Sequence, residues 1–211
     1  MGRAPEAGNG QRIHIFLPAL RFDTGLEFQT RDVLGRKRWC RLPTPETSSE
    51  GSGWLATLQA KALLQDRVPS NDAVARATRP GLPGLGPGDF MVRMATIDRH
   101  LQARWRPGLK GCRFTPAGLA QPVVLACLSG SHGVRWALVV GWEQCVHRMP
   151  DRPKEPVSSA CDGLLLLDSQ QAAPWGTAYN ARFVICDNRW RGLDGEVERC
   201  ELLGLVELRL R

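Results

Sequence analysis

Nowhere in the 211-residue chain do the roughly 18 consecutive apolar residues of a membrane-spanning helix occur, so no association with a membrane is expected. The opening stretch, Met1 to Gln11, is polar and Gly-rich. It lacks the apolar core of a secretory signal, and residues 1–11 are expected to form a flexible tail. Gly2 stands where a myristoyl group could be attached, but Glu6 occupies the position that motif reserves for Ser or Thr. There is no internal repeat. The seven cysteines include no CxxC pair, and Cys145 and His147 have no companions at zinc-ligand spacing. Free thiols, no metal, no cofactor and a cytoplasmic setting are therefore expected. Cys127 and Cys186 lie in apolar runs, where a reduced thiol packs as a small hydrophobe.

What is present suits one globular domain, taken to run from residue 12 to 211. Hydrophobic residues make up 43% and charged residues 23%, which excludes a disordered or fibrous chain. A chain of this length buries enough apolar surface to fold without disulfides or metal. The net charge is +7, and it is unevenly spread. Arg93, Arg99, Arg104, Arg106, Lys110 and Arg113 crowd one stretch that holds a single acid, Asp98. With Trp105 between Arg104 and Arg106, the 93–113 face has the ingredients of a nucleic-acid contact, although no nucleic-acid motif accompanies it. A second basic cluster is Arg36-Lys37-Arg38.

Periodicity divides the chain. Ile13 to Leu17 reads as a strand, and Thr44 to Gly53 as a loop between Pro43 and the first helix. Leu55, Leu58, Ala62 and Leu63 recur at helical spacing, with Ser52 or Gly53 at the N-cap. Pro69 ends that helix, and Ser70-Asn71-Asp72 caps a short one reaching about Arg79. Residues 80–88 are too rich in Pro and Gly for regular structure and read as a loop or lid. Phe90, Met94, Ile97, Leu101 and Trp105 predict an amphipathic helix halted at Pro107-Gly108. From there the period changes. Pro122–Leu128, Val134–Trp142, Gly163–Asp168, Asn180–Cys186 and Leu202–Leu210 read as strands, those at Val134–Val140 and Leu164–Leu167 apolar enough to be covered on both faces. Helices followed by strands imply an α+β fold with an antiparallel sheet.

Three segments carry a resemblance. Gly51-Ser52-Gly53-Trp54-Leu55-Ala56-Thr57-Leu58 opens the first helix. Arg135-Trp136-Ala137-Leu138-Val139-Val140-Gly141-Trp142 is an apolar strand closing on Gly-Trp. Leu164 to Asp168 ends in an acid and is followed by Pro174-Trp175-Gly176-Thr177-Ala178-Tyr179. In this order, over about residues 42–186, they resemble the papain-like cysteine peptidase superfamily and, within it, the bacterial C39-like branch. The first is similar to the Cys-Gly-x-x-x-x-Leu helix opening, the second to the His-x-x-x-x-x-Gly-[Tyr/Trp] strand, the third to the strand ending in Asn or Asp with its downstream Trp-Gly.

The resemblance implies a papain-like fold, N-terminal helices packed on a C-terminal antiparallel sheet, with Ser52, Arg135 and Asp168 at the nucleophile, base and orienting-acid positions. In that chemistry the helix N-terminus favours a thiolate, an imidazole moves its proton and the acid orients the imidazole. This chain departs from the pattern. Ser52 is a poor nucleophile without a strong base, Arg135 does not accept protons near neutral pH, and Glu46 replaces the usual oxyanion-stabilising Gln. The implied function is a cysteine-protease homologue that no longer cuts, a pseudoenzyme binding an extended peptide or protein partner in its remnant cleft. Trp54, Arg135, Trp136 and Trp175 are the expected cleft residues. Two rivals stand beside it. One is an active thiol hydrolase in which Ser52 replaces a natural Cys and His132, from the Ser129–Gly133 loop, serves as base with Asp168. The other is a nucleic-acid-binding module using the 93–113 face. His14, His100 and His147 lie outside these motifs.

Overall fold

The computed structural model describes residues 11–17, 20–21, 26–32, 34–97, 100–108, 123–148, 156–174 and 177–211. Trp175, Arg99, Lys110, Arg113, Cys112 and most of the expected N-terminal tail fall outside them, as do the side chains of Cys145, His147 and Cys161.

Among the described residues the architecture is α+β, with three helices and a large antiparallel sheet. The chain starts with β1 (Gln11–Phe16) and continues through β2 (Leu20–Arg21), β3 (Glu27–Arg31) and β4 (Lys37–Arg41), the last three forming a small sheet of their own. Three helices follow, α1 (Ser49–Gln65), α2 (Asn71–Ala77) and α3 (Pro87–Ile97). The rest is sheet: β5 (Leu101–Pro107), β6 (Val123–Gly130), β7 (Gly133–Arg148), β8 (Pro156–Asp168), β9 (Ala181–Val184), β10 (Arg189–Gly192), β11 (Val197–Arg199) and β12 (Glu201–Leu210). The strand order is β11-β10-β9-β8-β7-β6-β12-β5, and β1 pairs with the far half of β7.

The five strands expected after residue 120 all form, and the two apolar ones are covered on both faces. On one face Trp136, Leu138, Val140, Leu165, Leu167, Val206 and Leu208 pack against Ala56, Ala60 and Leu63 of α1, with Phe90 and Met94 of α3. On the other, Ala137, Val139, Leu164 and Leu166 meet Phe183, Trp190 and Leu205. Alternation explains the division, since neighbouring residues of a strand leave on opposite faces.

The second face is covered by the sheet itself. β7 and β10 are three strands apart, ~14 Å if the sheet were flat, yet the Arg135 guanidinium carbon lies 4.6 Å from the Trp190 ring centroid. The sheet therefore curls. Its far end returns through the single residue Cys200, which separates β11 from β12, so β6 to β12 wrap around a small inner core.

Several expectations need correction. The helix predicted to continue to Trp105 stops at Ile97, and Leu101–Pro107 is a strand paired with β12 from Leu101↔Leu210 to Pro107↔Gly204. Residues four apart, such as Leu101 and Trp105, share a face in a strand as they do in a helix, so that spacing did not discriminate. The first helix begins at Ser49, within the predicted loop, and its N-cap is Ser48, which accepts from the Gly51 N–H; Ser52 sits inside the first turn. The helix ends at Gln65, where Asp66 turns left-handed with φ 50°. Cys127 is buried as expected, and burial pushes its thiol up to about 12, whereas Cys186 is exposed on the turn after β9. The β2–β4 sheet was not predicted. Its turn is tied by Asp32, whose carboxylate takes Arg36 at 2.8 Å and Arg38 at 3.2 Å.

The breaker-rich loop before α3 is held by two indoles. Trp54 Nε1 donates to the Pro83 carbonyl at 3.3 Å and Trp136 Nε1 to the Leu85 carbonyl at 2.7 Å. Pro87 then starts α3, where its missing N–H costs nothing. Phe90 stacks on Trp136 with ring centroids 3.9 Å apart, a contact worth about 1 kcal/mol beyond its buried area.

Candidate functional site

The start of α1 meets the sheet where β8 runs out. Thr47 N–H donates to the Ser169 carbonyl at 2.8 Å, which fixes the helix entry beside the end of β8. The last β7–β8 pair is Ala137↔Asp168. Trp136, one residue beyond it on β7, gives its N–H to Ser52 Oγ at 2.9 Å. The Ser52 hydroxyl in turn donates to the Ser49 carbonyl at 2.6 Å. Ser52 has no exposed surface. Its oxygen thus supplies the acceptor that β8 no longer offers and spends its own proton within the helix. A buried N–H without such an acceptor would cost about 1–3 kcal/mol.

Arg135 and Asp168 turn the other way. Arg135 and Trp136 leave β7 on opposite faces. Trp136 lies against α3, while Arg135 enters the inner core and stacks on Trp190. Asp168, next in alternation after Leu164 and Leu166, joins it there, with the two charged groups 3.8 Å apart. The helix bearing Ser52 packs on the opposite face.

Arg135 is held from every side. It pairs with Glu198, donates to Gln170 Oε1 at 3.1 Å and reaches Cys200 Sγ at 3.0 Å. Desolvation opposes its charge, but Asp168, Cys200 and Glu198 outweigh it and raise its pKa further. Desolvation also opposes the charge on Glu198. The Ser131 hydroxyl and N–H, together with Arg135, nonetheless hold that carboxyl at about 2. Asp168 is fully buried, and desolvation raises its pKa against the Gln170 N–H, Arg135 and the nearby Trp190 indole. The cluster plugs one end of the curled sheet with a charge network, and its arginine has no freedom to act on a ligand.

Glu198, Cys200 and Trp190 were not anticipated from the sequence. Their only signal is the alternation in Arg189-Trp190-Arg191 and Val197-Glu198-Arg199, too short to place the strands. His132 is exposed on the β6–β7 turn and makes no hydrogen bond to another described residue. Among the described residues it forms no hydrogen bond or ion pair with Ser52 or Asp168. Glu46 is exposed.

Of the four expected cleft residues, Arg135 and Trp136 lie inside the protein and Trp175 is outside the described residues. Trp54 alone stands at a groove. This open trough of about 450 Å³ runs between α1 and α2, with Trp54, Leu58 and Leu82 among its lining and Lys61, Arg76 and Arg79 at its rim. The α2 helix that forms its far wall is capped by Ser70, which accepts from the Ala73 N–H at 3.2 Å. Arg93 lies over the Trp54 ring, 4.8 Å from the centroid.

The basic 93–113 run does not form one surface among the described residues. Arg93 belongs to α3 and covers Trp54. Arg104 and Arg106 share a face of β5, and Arg106 pairs with Glu207 at 3.3 Å. Trp105 leaves on the opposite face, edge-on to Trp136 with centroids 6.3 Å apart.

Comparison with protein-family models, curated proteins and solved structures finds no match to this chain. No described helix is long and apolar enough to cross a membrane.

Proposed function

We propose that this chain is a cytoplasmic, papain-like domain of the C39-like type that has lost peptidase chemistry and binds a peptide segment of a partner without cutting it. The element order supports the kinship: a helix whose first turn touches a long strand at the residue beside Arg135, and an acid at the end of the neighbouring strand. The observation that carries the loss of chemistry is Ser52. Its hydroxyl is fully buried and engaged both as donor and as acceptor, while the Arg135 and Asp168 side chains turn to the other face of β7, away from it. An oxygen without accessible surface offers no line of approach to a substrate carbonyl.

Binding then falls to the Trp54 groove, where apolar floor meets open solvent. Exposed apolar troughs with a few polar groups at the edge are the usual form of a binding site. The test is to screen the protein against an immobilised peptide panel and recover the bound peptides for mass analysis. Intact peptides retained by the protein support the reading. Cleaved peptides, or no retention of any peptide, contradict it.

A further inference from the structure

Resting on that reading, we infer that the groove between α1 and α2 receives an acidic peptide segment carrying a large apolar anchor side chain. The floor is apolar, from Trp54 and Leu58 on α1 and Leu82 on the loop between α2 and α3, with small Ala73 and Ala77 on α2 leaving the space open. A volume of about 450 Å³ lies within the range of cavities that bury a compact apolar group. The charge at the rim has one sign. Lys61, Arg76 and Arg79 line the groove and no acid does. Arg76 and Arg79 are exposed and form no ion pair with a described residue. An acidic segment is therefore drawn to the rim by complementary potential, and its anchor is held by desolvation of the floor.

The geometry favours a peptide over a nucleic acid. One face of Trp54 is already covered by the Arg93 guanidinium, which takes away a stacking platform for bases. A phosphate backbone would also leave the Leu58–Leu82 floor with nothing apolar to bury.

The experiment uses the full chain and fluorescein-labelled peptides followed by anisotropy. The probe is an acetylated Glu-Asp-Glu-Phe-Leu-Asp-Glu peptide, set against a counterpart with Lys at every acidic position and another with Ser for Phe and Leu. The acidic apolar peptide is expected to bind at least about tenfold tighter than either, and to weaken as salt rises. The double variant R76E/R79E reverses charge on exposed side chains, and A77W fills the trough. Each is expected to weaken binding at least about tenfold while circular dichroism stays unchanged. Equal affinity for the three peptides overturns the inference, and so does displacement by oligothymidylate. Binding of the acidic peptide that ignores both variants overturns the groove assignment and leaves silent peptide binding standing. Groove-dependent binding followed by cleavage of the probe upholds the groove and overturns the loss of chemistry.

Discussion

The N–H of Trp136 meets Ser52 Oγ at 2.9 Å, at the point where β8 has ended and β7 goes on without it. One serine hydroxyl thereby joins the first turn of α1 to the longest strand of the sheet. The same bond that fixes the helix to the strand makes the hydroxyl unavailable for anything else.

Removing that hydroxyl tests the structural role. Ser52→Ala leaves the Trp136 N–H buried without an acceptor, against a small gain in helix propensity. A net loss of about 1–2 kcal/mol is expected in a denaturant titration. Unchanged stability would show that the contact does not hold the two elements together.

The orientation of Arg135 yields a sharper test. In the double variant S52C/R135H the thiol and imidazole would lie on different sides of β7. Its rate of alkylation by iodoacetamide at neutral pH should equal that of S52C alone. An acceleration that titrates with an imidazole would place position 135 on the helix side.

Glu198 sets an acid limit on stability. Its carboxyl is held at about 2 against a reference of 4.5, so the folded chain favours its charged form. The contribution is present above about pH 4.5 and is lost as pH falls toward 2. Asp168, raised by burial, works in the opposite direction, which makes the Glu198→Gln comparison necessary. Melting temperatures of the wild type should fall more steeply through this window than those of Glu198→Gln. Parallel curves would remove the Arg135–Glu198 pair as a source of stability.

Gly204 marks a close approach between strands. A Cβ there would overlap the Trp105 ring and come within 2.6 Å of the Arg106 carbonyl, at the β-bulge of β12 against β6. Gly204→Ala should cost about 1–3 kcal/mol, measured by denaturant titration, through displacement of Trp105 from Trp136. A neutral result would mean that β5 sits farther from β12 than it does here.

The sheet was legible because its central strands are almost uniformly apolar. Arg135 is the one polar residue in Val134–Val140 and Leu164–Leu167, too little for a solvated face, and both faces are indeed covered. The helix start was ambiguous because Ser48, Ser49 and Ser52 can each cap, and Gly51 and Gly53 are weak helix formers. Hydrogen bonding to the Gly51 N–H selects Ser48. Arg135 and Trp136 were both expected at the cleft, although neighbouring residues of a strand leave on opposite faces, and which face meets α1 depends on how the sheet curls. That curl arises from the return through Cys200, a long-range feature that no local pattern carries. For the same reason the partners of Arg135 on β10 and β11 lay beyond reach, some 55 to 65 positions downstream. Gly141, read as the glycine of a strand motif, has a local reason here. A Cβ on it would press on Phe16 at 3.1 Å, where β1 closes onto β7.

Whether Ser52 does chemistry decides between a silent peptide binder and a hydrolase. Wild-type protein and Ser52→Ala, each confirmed as folded, are incubated with a broad peptide panel and the digests read by mass spectrometry. No new fragments are expected with either protein. Fragments produced by the wild type and missing with Ser52→Ala would show that this buried hydroxyl is a nucleophile after all.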